Sequence, residues 1–243
     1  MRLTISQLLV LAMGMNSSLA NDPPPDEYAE ERAAMVREIE ADVRQTKSYL
    51  GRDELDPRVI AAMGKVARHA FVPPDQQSFA YRNQPLPIGH GQTISQPYIV
   101  AIMTDLLQVF EGGRVLEVGT GSGYQAAVLA EVCDKVYTIE IVERLGEQTA
   151  VLLDELGYDN VYTKIGDGYV GWPEHAPYDG IIVTAAAPYV PKPLIEQLRP
   201  GGRMVIPVKR SFGAQELLLV EKAVDGTVSE TEIIPVRFVP LTR

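Results

Sequence analysis

The sequence predicts an α/β fold, with a mainly parallel sheet covered by helices on both faces. Two observations carry this prediction. After Gly112-Gly113, short apolar runs alternate with amphipathic helical runs, which is typical of a parallel sheet. The first apolar run, 114–118, ends at Gly119, Gly121 and Gly123, and a run of small residues at helical spacing follows. That order predicts strand, tight turn and helix.

Each later element follows from the same alternation. Apolar runs predict strands, and longer amphipathic runs predict helices. The predicted strands are 114–118, 135–141, 161–165, 178–184, 203–208, 216–221 and 233–239, and the predicted helices are 122–133, 142–156 and 191–198. Turn-forming Asp225-Gly226 lies between the last two strands, which predicts an antiparallel C-terminal hairpin.

The N-terminal half predicts helices and loops. Residues 27–50 are mostly helix formers, with Met35, Ile39 and Val43 at helical spacing. Asp56 is a predicted N-cap before Pro57. A loop rich in proline and glycine then leads to a helix that follows residue 96, with Phe110 on its apolar side; taken alone, the serine at 95 is predicted to be its N-cap. We expect a leader and linker at 1–26, a helical substrate-side segment at 27–110 and a cofactor-binding core at 111–243.

Composition excludes several classes of function. The net charge of −10 over 243 residues argues against an electrostatic nucleic-acid binder and against stable association with an anionic membrane. The single cysteine, Cys133, excludes an internal disulfide and is predicted to be a buried small hydrophobe. The three histidines and one cysteine form no metal-ligand pattern, so no metal site is predicted.

The first twenty residues have two interpretations. One basic residue, Arg2, precedes an interrupted apolar stretch, and Ser18-Leu19-Ala20 offers small residues at a cleavage position, as in a secretory signal. The stretch is too short for a convincing transmembrane helix. A disordered leader or a misplaced start codon explains the pattern equally well. Three consecutive prolines, 23–25, predict an extended linker.

The glycine turn predicts a nucleotide-type ligand. Glycine allows close approach of a ligand to the backbone, and the N–H groups at the start of the next helix would face that ligand. The spacing is G-x-G-x-G, with Tyr124 where the dinucleotide fingerprint has its third glycine. With Glu117 before it and Thr120 and Ser122 within it, the run resembles motif I of methyltransferases that use S-adenosylmethionine. A tight turn without a ligand is the alternative.

Two acidic residues follow at the ends of the next strands. Glu140 lies 21 residues after Gly119, the spacing at which an acid accepts hydrogen bonds from ribose hydroxyls. Asp167 stands between Gly166 and Gly168, where it could bind an adenine amino group while the glycines admit a flat ring. Taken singly, the first is also explained as an ordinary strand-end charge and the second as a Gly-Asp-Gly turn.

Several blocks together resemble the protein-L-isoaspartate O-methyltransferase family. They are residues 71–73, 91–97, 116–124, 166–169, 176–179, 181–186, 198–203 and 236–241, with Trp172. The resemblance covers roughly residue 55 to the end, and Thr93-Ile94-Ser95 is its family-specific part. It implies a Rossmann-like methyltransferase fold, S-adenosylmethionine as cofactor and Ser95 next to the transferred methyl group, which replaces the N-cap interpretation of that serine.

The resemblance also implies an activity and a set of cofactor-binding residues. The family methylates the free α-carboxylate of L-isoaspartyl residues in damaged proteins and peptides, which initiates their repair to L-aspartyl. The cofactor would be bound by Glu117, Gly119, Thr120, Gly121, Ser122, Gly123, Glu140, Asp167 and Gly168. We expect a cytoplasmic monomer, or a periplasmic protein if residues 1–20 are a cleaved signal. Alternatives are a methyltransferase for a small-molecule carboxylate, a dehydrogenase and a non-catalytic cofactor-binding module.

Overall fold

A computed structural model describes residues 26–108, 111–210 and 213–243. The predicted leader, almost all of the predicted linker, and Phe110 lie outside these residues. Within the described ranges, no helix is long and apolar enough to cross a membrane.

The N-terminal helices form where the apolar spacing predicts them. They are α1 (Ala29–Gln45), α2 (Lys47–Leu50) and α3 (Pro57–Lys65). Met35, Ile39 and Val43 bury one side of α1. Asp56 is the N-cap of α3, as predicted, because its side chain accepts a hydrogen bond from the backbone N–H of Arg58 at 2.8 Å.

A short hairpin connects these helices to the next one. Two 3-10 turns (Arg68–Phe71 and Pro74–Phe79) lead into β1 (Leu86–Gly89) and β2 (Gln92–Ile94), which pair antiparallel. Helix α4 (Pro97–Leu107) follows and is buried along almost its whole length. Its N-cap is Gln96, so the N-cap interpretation of Ser95 is wrong: Ser95 lies one residue too early in the chain.

A seven-stranded sheet organises the rest of the chain. Its strands are β3 (Arg114–Val118), β4 (Lys135–Glu140), β5 (Val161–Ile165), β6 (Tyr178–Val183), β7 (Leu198–Lys209), β8 (Gln215–Lys222) and β9 (Val228–Pro235), in the spatial order β5-β4-β3-β6-β7-β8-β9. The first five are parallel, and β8 and β9 are antiparallel additions. The strand order reverses at β3, and such a switch point opens a crevice at the carboxyl ends of the strands.

Helices cover both faces of this sheet, which confirms the predicted fold class. On one face, α5 (Tyr124–Ala130) and α6 (Glu143–Glu155) pack with the N-terminal helices over a core that includes Val115 and Val136. On the other, α7 (Lys192–Gln197) packs over Leu116 and Ile181. Cys133 is buried as predicted; its thiol donates to the carbonyl of Leu129, and burial raises its pKa to about 12.

The prediction for the last strand is wrong in its position. The strand runs from Val228 to Pro235, not over 233–239. This edge strand is exposed over its first five residues, so it lacks the alternation of apolar residues that marks a half-buried strand. The residues after Pro235 instead run toward the carboxyl end of β6, where Pro240 forms a parallel bridge with Ala186.

Candidate active site

A cleft lies at the carboxyl ends of β3 and β4, at the switch point of the sheet. The glycine loop and β4 form one side, and residues 92–95 and the C-terminal segment 239–242 contribute the other. Eight of the ten predicted site residues line it: Ser95, Glu117, Gly119, Thr120, Gly121, Ser122, Glu140 and Gly168. The cleft lining does not include Gly123 or Asp167.

The end of β4 fixes the backbone of the glycine loop. The N–H groups of Gly119 and Thr120 both donate to the carbonyl of Ile139, at 2.8 and 3.2 Å. The N–H of Gly121 donates to Glu140 Oε2 at 2.8 Å. These three N–H groups therefore shape the loop and are already engaged within the protein.

Thr184, which follows β6, explains why position 119 is glycine. Gly119 has φ +98°, and a Cβ there would lie 2.5 Å from Thr184 Oγ1. The Thr184 hydroxyl donates to the Gly119 carbonyl at 2.6 Å. Only a residue without a side chain allows this approach at a positive φ.

Thr149 of α6 packs against the other end of the glycine loop, as Thr184 packs against Gly119. Its hydroxyl donates to the Gly121 carbonyl at 2.7 Å. Gly123 has φ +87°, and a Cβ there would lie 2.7 Å from Thr149 Cγ2. Gly123 thus serves the packing of the loop on α6. Neither threonine is predicted as a site residue from the sequence, although both lie in segments of predicted secondary structure.

Glu140 is a buried acceptor at the end of β4. Its side chain accepts from the N–H of Gly121 through Oε2 and from the N–H of Val142 through Oε1, at 2.8 and 2.9 Å. Each carboxylate oxygen has two lone pairs, so the group retains acceptor capacity toward the cleft. Glu140 therefore both orients the glycine loop and offers acceptor sites for ligand hydroxyls.

Glu117 is fully buried, and only one of its two carboxylate oxygens has a hydrogen-bond partner among the described residues. Its Oε2 accepts a hydrogen bond from Thr138 Oγ1 at 2.5 Å, whereas Oε1 has no hydrogen-bond partner in the described chain. Burial raises the pKa of this carboxyl to about 8; the Thr138 bond opposes the rise and the nearby Glu140 charge adds to it. Buried polar atoms are seldom unpaired, so Oε1 marks a place for a ligand donor.

Ser95 lies on the opposite side of the cleft, the acceptor side, and its hydroxyl can donate a hydrogen bond. It is half-buried, and its hydroxyl forms no hydrogen bond with a described residue. Its backbone carbonyl accepts from Arg68 Nη2 at 2.8 Å. The backbone is thus held while the hydroxyl remains available to a molecule in the cleft.

The turn after β5 lies close to the cleft but uses its acid locally. Asp167 Oδ1 accepts from the N–H of Tyr169 at 2.9 Å, and Oδ2 lies 3.8 Å from Arg243 Nε. A Cβ at Gly168 would lie 2.3 Å from Val118 Cγ1, so a glycine is needed for this turn to approach β3. The adenine-binding role of Asp167 stays a prediction.

The C-terminal segment completes the cleft. The N–H of Ala186 donates to the Val239 carbonyl and the N–H of Leu241 donates to the Ala186 carbonyl, at 2.8 and 2.9 Å. These bonds hold residues 239–242 along the loop that follows β6. Among the described residues, no group of three or more histidine, cysteine or acidic side chains is placed to hold a metal ion.

Comparison with known proteins places this site in a family. The family model for protein-L-isoaspartate(D-aspartate) O-methyltransferase matches residues 45–243. The chain is 57% identical to protein-L-isoaspartate O-methyltransferase 2 of Syntrophobacter fumaroxidans, over 97% of this chain and 95% of the relative. It is 64% identical to the protein of the same name from Polaromonas sp., over 86% of this chain and 99% of the relative.

Solved structures show the same fold. A protein-L-isoaspartate O-methyltransferase superposes with a TM-score of 0.75 at 28% identity, over 87% of this chain and 66% of that one. A Plasmodium falciparum structure, solved in complex with S-adenosyl-L-homocysteine, superposes with a TM-score of 0.71 at 22% identity, over 89% of this chain and 99% of that one. The predicted Rossmann-like fold is confirmed, and the chain belongs to the protein-L-isoaspartate(D-aspartate) O-methyltransferase family.

Proposed function

We propose that this family member methylates the free α-carboxylate of L-isoaspartyl residues in the cleft between the glycine loop and Ser95, and so initiates their repair to L-aspartyl. The observation that carries the proposal is that one cleft is lined by Glu117, which has a buried unpaired carboxylate oxygen, and by the half-buried Ser95, whose hydroxyl bonds no described residue. Glu117 Oε1 lies on the side of the glycine loop, and the Ser95 hydroxyl lies on the side of the β1–β2 hairpin.

The residues on the glycine-loop side fit S-adenosylmethionine. When bound, this cofactor supplies an electrophilic methyl group on a sulfonium centre. Glu140 would accept from its ribose hydroxyls, and the unpaired oxygen of Glu117 would accept from a cofactor donor. Gly119 has no side chain and lies tightly against Thr184, so the cofactor could approach the backbone of the glycine loop directly.

The acceptor side needs a positioned donor and no strong base. An α-carboxylate is already ionised at neutral pH, so no proton has to be removed before it attacks. Ser95 would donate its hydroxyl to one carboxylate oxygen and orient the other toward the methyl carbon. Positioning and exclusion of water then supply most of the acceleration.

A small-molecule carboxylate is the weaker candidate for the substrate. Such a methyltransferase would share the cofactor site but would have no reason to keep Thr93-Ile94-Ser95 or the segment 236–241. In this protein Thr93-Ile94-Ser95 and the segment 239–242 both line the cleft, and both belong to the blocks that resemble the protein-repair family. The two relatives described above also carry the protein-repair name over nearly their full length.

Paired peptides test the proposal. We expect methyl transfer to an L-isoaspartyl peptide and essentially none to the matched L-aspartyl peptide. The normal linkage puts its side-chain carboxylate one methylene farther from the α-carbon, and a displacement of about 1 Å can cost on the order of a hundredfold. Equal rates on the two peptides would contradict the repair function. Transfer to small carboxylates alone would favour the weaker candidate.

The division of the chain belongs to the same proposal. Residues 111–243 would form the cofactor-binding core, and residues 27–110 would form the substrate-side segment, which contributes 92–95 to the cleft. We further propose a monomer that binds no nucleic acid. Sedimentation analysis tests the first property, and a filter-binding titration with RNA and DNA tests the second.

Localisation is proposed to be cytoplasmic because S-adenosylmethionine is charged and is made in the cytoplasm. Cell fractionation with N-terminal sequencing tests this. A mature chain that begins at Asn21 in a periplasmic fraction would contradict it.

A further inference from the structure

Arg68 is a buried cation without an acidic partner. It lies in the 3-10 turn Arg68–Phe71, its side chain is fully buried, and no described carboxylate forms an ion pair with it. Burial lowers the pKa of its guanidinium to about 10, which leaves the group charged at neutral pH. Burying a charge without a counter-ion is costly, so the position calls for an explanation beyond core packing.

The guanidinium group binds backbone carbonyls from three places in the chain. Nε donates to Ala80 at 2.8 Å, and Nη2 donates to Ser95 at 2.8 Å and to Gln84 at a longer 3.4 Å. The guanidinium carbon lies 4.7 Å from the centroid of the Tyr124 ring. Nη1 has no hydrogen-bond partner among the described residues.

These contacts link the two sides of the cleft. Gln84 precedes β1 and Ser95 follows β2, so a single guanidinium group joins both ends of the hairpin. Tyr124 is the first residue of α5 and directly follows the glycine loop. Arg68 does not itself line the cleft, so any influence on a bound substrate passes through the residues that it holds.

We propose that Arg68 is a positioning residue for methyl transfer, which fixes the Ser95 peptide so that the serine hydroxyl meets the acceptor carboxylate. The inference rests on the proposed function. The bond to the Ser95 carbonyl restrains the peptide group next to the Cα of Ser95, and the side chain that ends in the hydroxyl group is attached to that Cα. The bond to Gln84 and the contact with Tyr124 set that backbone relative to the hairpin and the glycine loop.

The chemistry of arginine supports this role over a purely structural one. A guanidinium group presents five donors in a rigid planar fork, so it can hold separate carbonyls in one geometry, whereas lysine offers a point charge on a flexible stem. The buried guanidinium group contacts both ends of the β1–β2 hairpin and the residue that follows the glycine loop. These contacts favour a role in setting the geometry of the site.

Two variants and a matched control test the proposal. Arg68→Lys keeps the charge and Arg68→Met keeps most of the stem. Arg32→Lys is the control, because Arg32 also donates to a backbone carbonyl, that of Gly64 at 2.7 Å, but contacts neither the hairpin nor α5. The measurements are steady-state kinetics with an isoaspartyl peptide, calorimetric titration with S-adenosylmethionine, and thermal melts.

Kinetic constants are expressed per cofactor-binding site, which removes the contribution of unfolded protein. We expect kcat/KM for the peptide to fall roughly tenfold to a hundredfold in Arg68→Met, because the Ser95 hydroxyl would be misplaced and a displacement of about 1 Å can cost on the order of a hundredfold. Arg68→Lys should retain more of this efficiency, and Arg32→Lys should match the wild type. The peptide KM should rise in both Arg68 variants while the cofactor dissociation constant stays unchanged.

A merely structural role gives a different pattern. The melting temperature and the number of binding-competent sites would fall, but kcat and KM per site would stay at the wild-type values, and this result would overturn the proposal. An inactive wild-type protein would instead overturn the proposed function, so the two failures are distinguishable.

If neither Arg68 variant folds, an NMR titration of the wild-type protein tests the proposal. The Arg68 Nε–H resonance in a 15N-arginine-labelled sample should shift when the isoaspartyl peptide saturates the protein in the presence of S-adenosylhomocysteine. An Nε–H resonance that does not move on saturation would overturn the proposal.

Discussion

The two sides of the cleft are held together in different ways. On the cofactor side, the glycine loop is fixed by hydrogen bonds from its own N–H groups to β4 and by threonine hydroxyls that bind its carbonyls. On the acceptor side, Ser95 is held only through its backbone, and its hydroxyl binds no described residue. The backbone of the cofactor side is thus already fixed by internal hydrogen bonds. On the acceptor side, the Ser95 hydroxyl remains free to bind the substrate.

Each side nevertheless leaves one polar atom unpaired. On the cofactor side it is Glu117 Oε1, and on the acceptor side it is the Ser95 hydroxyl. Because native proteins pair nearly all buried polar groups, the buried Glu117 Oε1 indicates where a ligand would complete the structure, whereas the half-buried Ser95 hydroxyl is only open to one. The contrast predicts that changes to the loop scaffold alter folding and cofactor binding together, while changes to Ser95 alter catalysis alone.

The largest expected effect comes from Gly119→Ala. The new Cβ would lie 2.5 Å from Thr184 Oγ1 at a φ of +98°. A left-handed conformation costs an alanine roughly 1–2 kcal/mol and overpacking a further 1–3 kcal/mol. We expect a lower melting temperature and loss of measurable cofactor binding by calorimetry.

Two further variants sharpen this result. Gly157→Ala is the matched control, because Gly157 has φ +76° but nothing within 4 Å of the new Cβ. It should show the conformational cost alone. Thr184→Ala combined with Gly119→Ala should recover part of the stability, because it removes the clashing hydroxyl. Equal stabilities for the two single glycine variants would show that Thr184 does not constrain the loop.

Glu140→Ala is expected to weaken cofactor binding roughly tenfold to a hundredfold. A hydrogen bond that involves a charged group contributes roughly 1.5–3 kcal/mol, and this carboxylate also orients the N–H of Gly121. Glu140→Gln should fall between the wild type and Glu140→Ala, since its amide keeps one acceptor oxygen. Titration calorimetry with S-adenosylmethionine measures the effect, with exposed Glu143→Gln as control. An unchanged dissociation constant in a folded variant would remove Glu140 from the site.

Ser95→Ala tests the acceptor side. We expect turnover efficiency on an isoaspartyl peptide to fall roughly tenfold or more, from one lost bond to a charged group. Cofactor affinity and melting temperature should not change, because the hydroxyl binds no described residue and Gln96 is the N-cap of α4. Exposed Ser78→Ala is the control. A less stable but fully active Ser95→Ala would contradict the assigned role.

Local sequence patterns predict some parts of the fold and the site but not the contacts between distant segments. The parallel strands, the glycine loop and Glu140 were predictable because periodicity and fixed spacing report on local structure. Thr149, Thr184 and Arg68 were not singled out, because each acts on residues that are distant along the chain. Thr149, for example, binds the carbonyl of Gly121, 28 residues away. Spacing within one segment carries no information about such pairs.

Two errors have local causes. The edge strand β9 is exposed over most of its length, so its apolar pattern is weak and the predicted strand was placed too late in the chain. The N-cap interpretation of Ser95 depended on the first residue of α4, and helix ends are the least certain part of any assignment. The family resemblance instead assigns Ser95 to the site, which agrees with its place in the lining of the cleft.

The last expected effect is the smallest when taken per pH unit, and it concerns the pH dependence of stability that Glu117 causes. Its pKa in the folded protein is about 8, above the ordinary value of 4.5, mainly because the carboxyl is buried. A raised pKa means that the folded state favours the protonated form. The stability from this group is therefore fully present below about pH 4.5 and is lost as the pH rises through about 8. Between pH 6 and 7 the folded group is mostly protonated and the unfolded group mostly ionised, so the loss is roughly 1 kcal/mol over that one pH unit.

Glu117→Gln removes the titration and keeps the shape of the side chain. We expect the difference in melting temperature between wild type and Glu117→Gln to move in favour of the variant as the pH rises from 5 to 9. Saturating S-adenosylmethionine should reduce this trend, since a donor to Oε1 favours the ionised carboxylate. Exposed Glu143→Gln provides the baseline. A pH-independent difference would show that Glu117 does not titrate in this range, and an equal trend with and without cofactor would show that the unpaired oxygen is not part of the cofactor site.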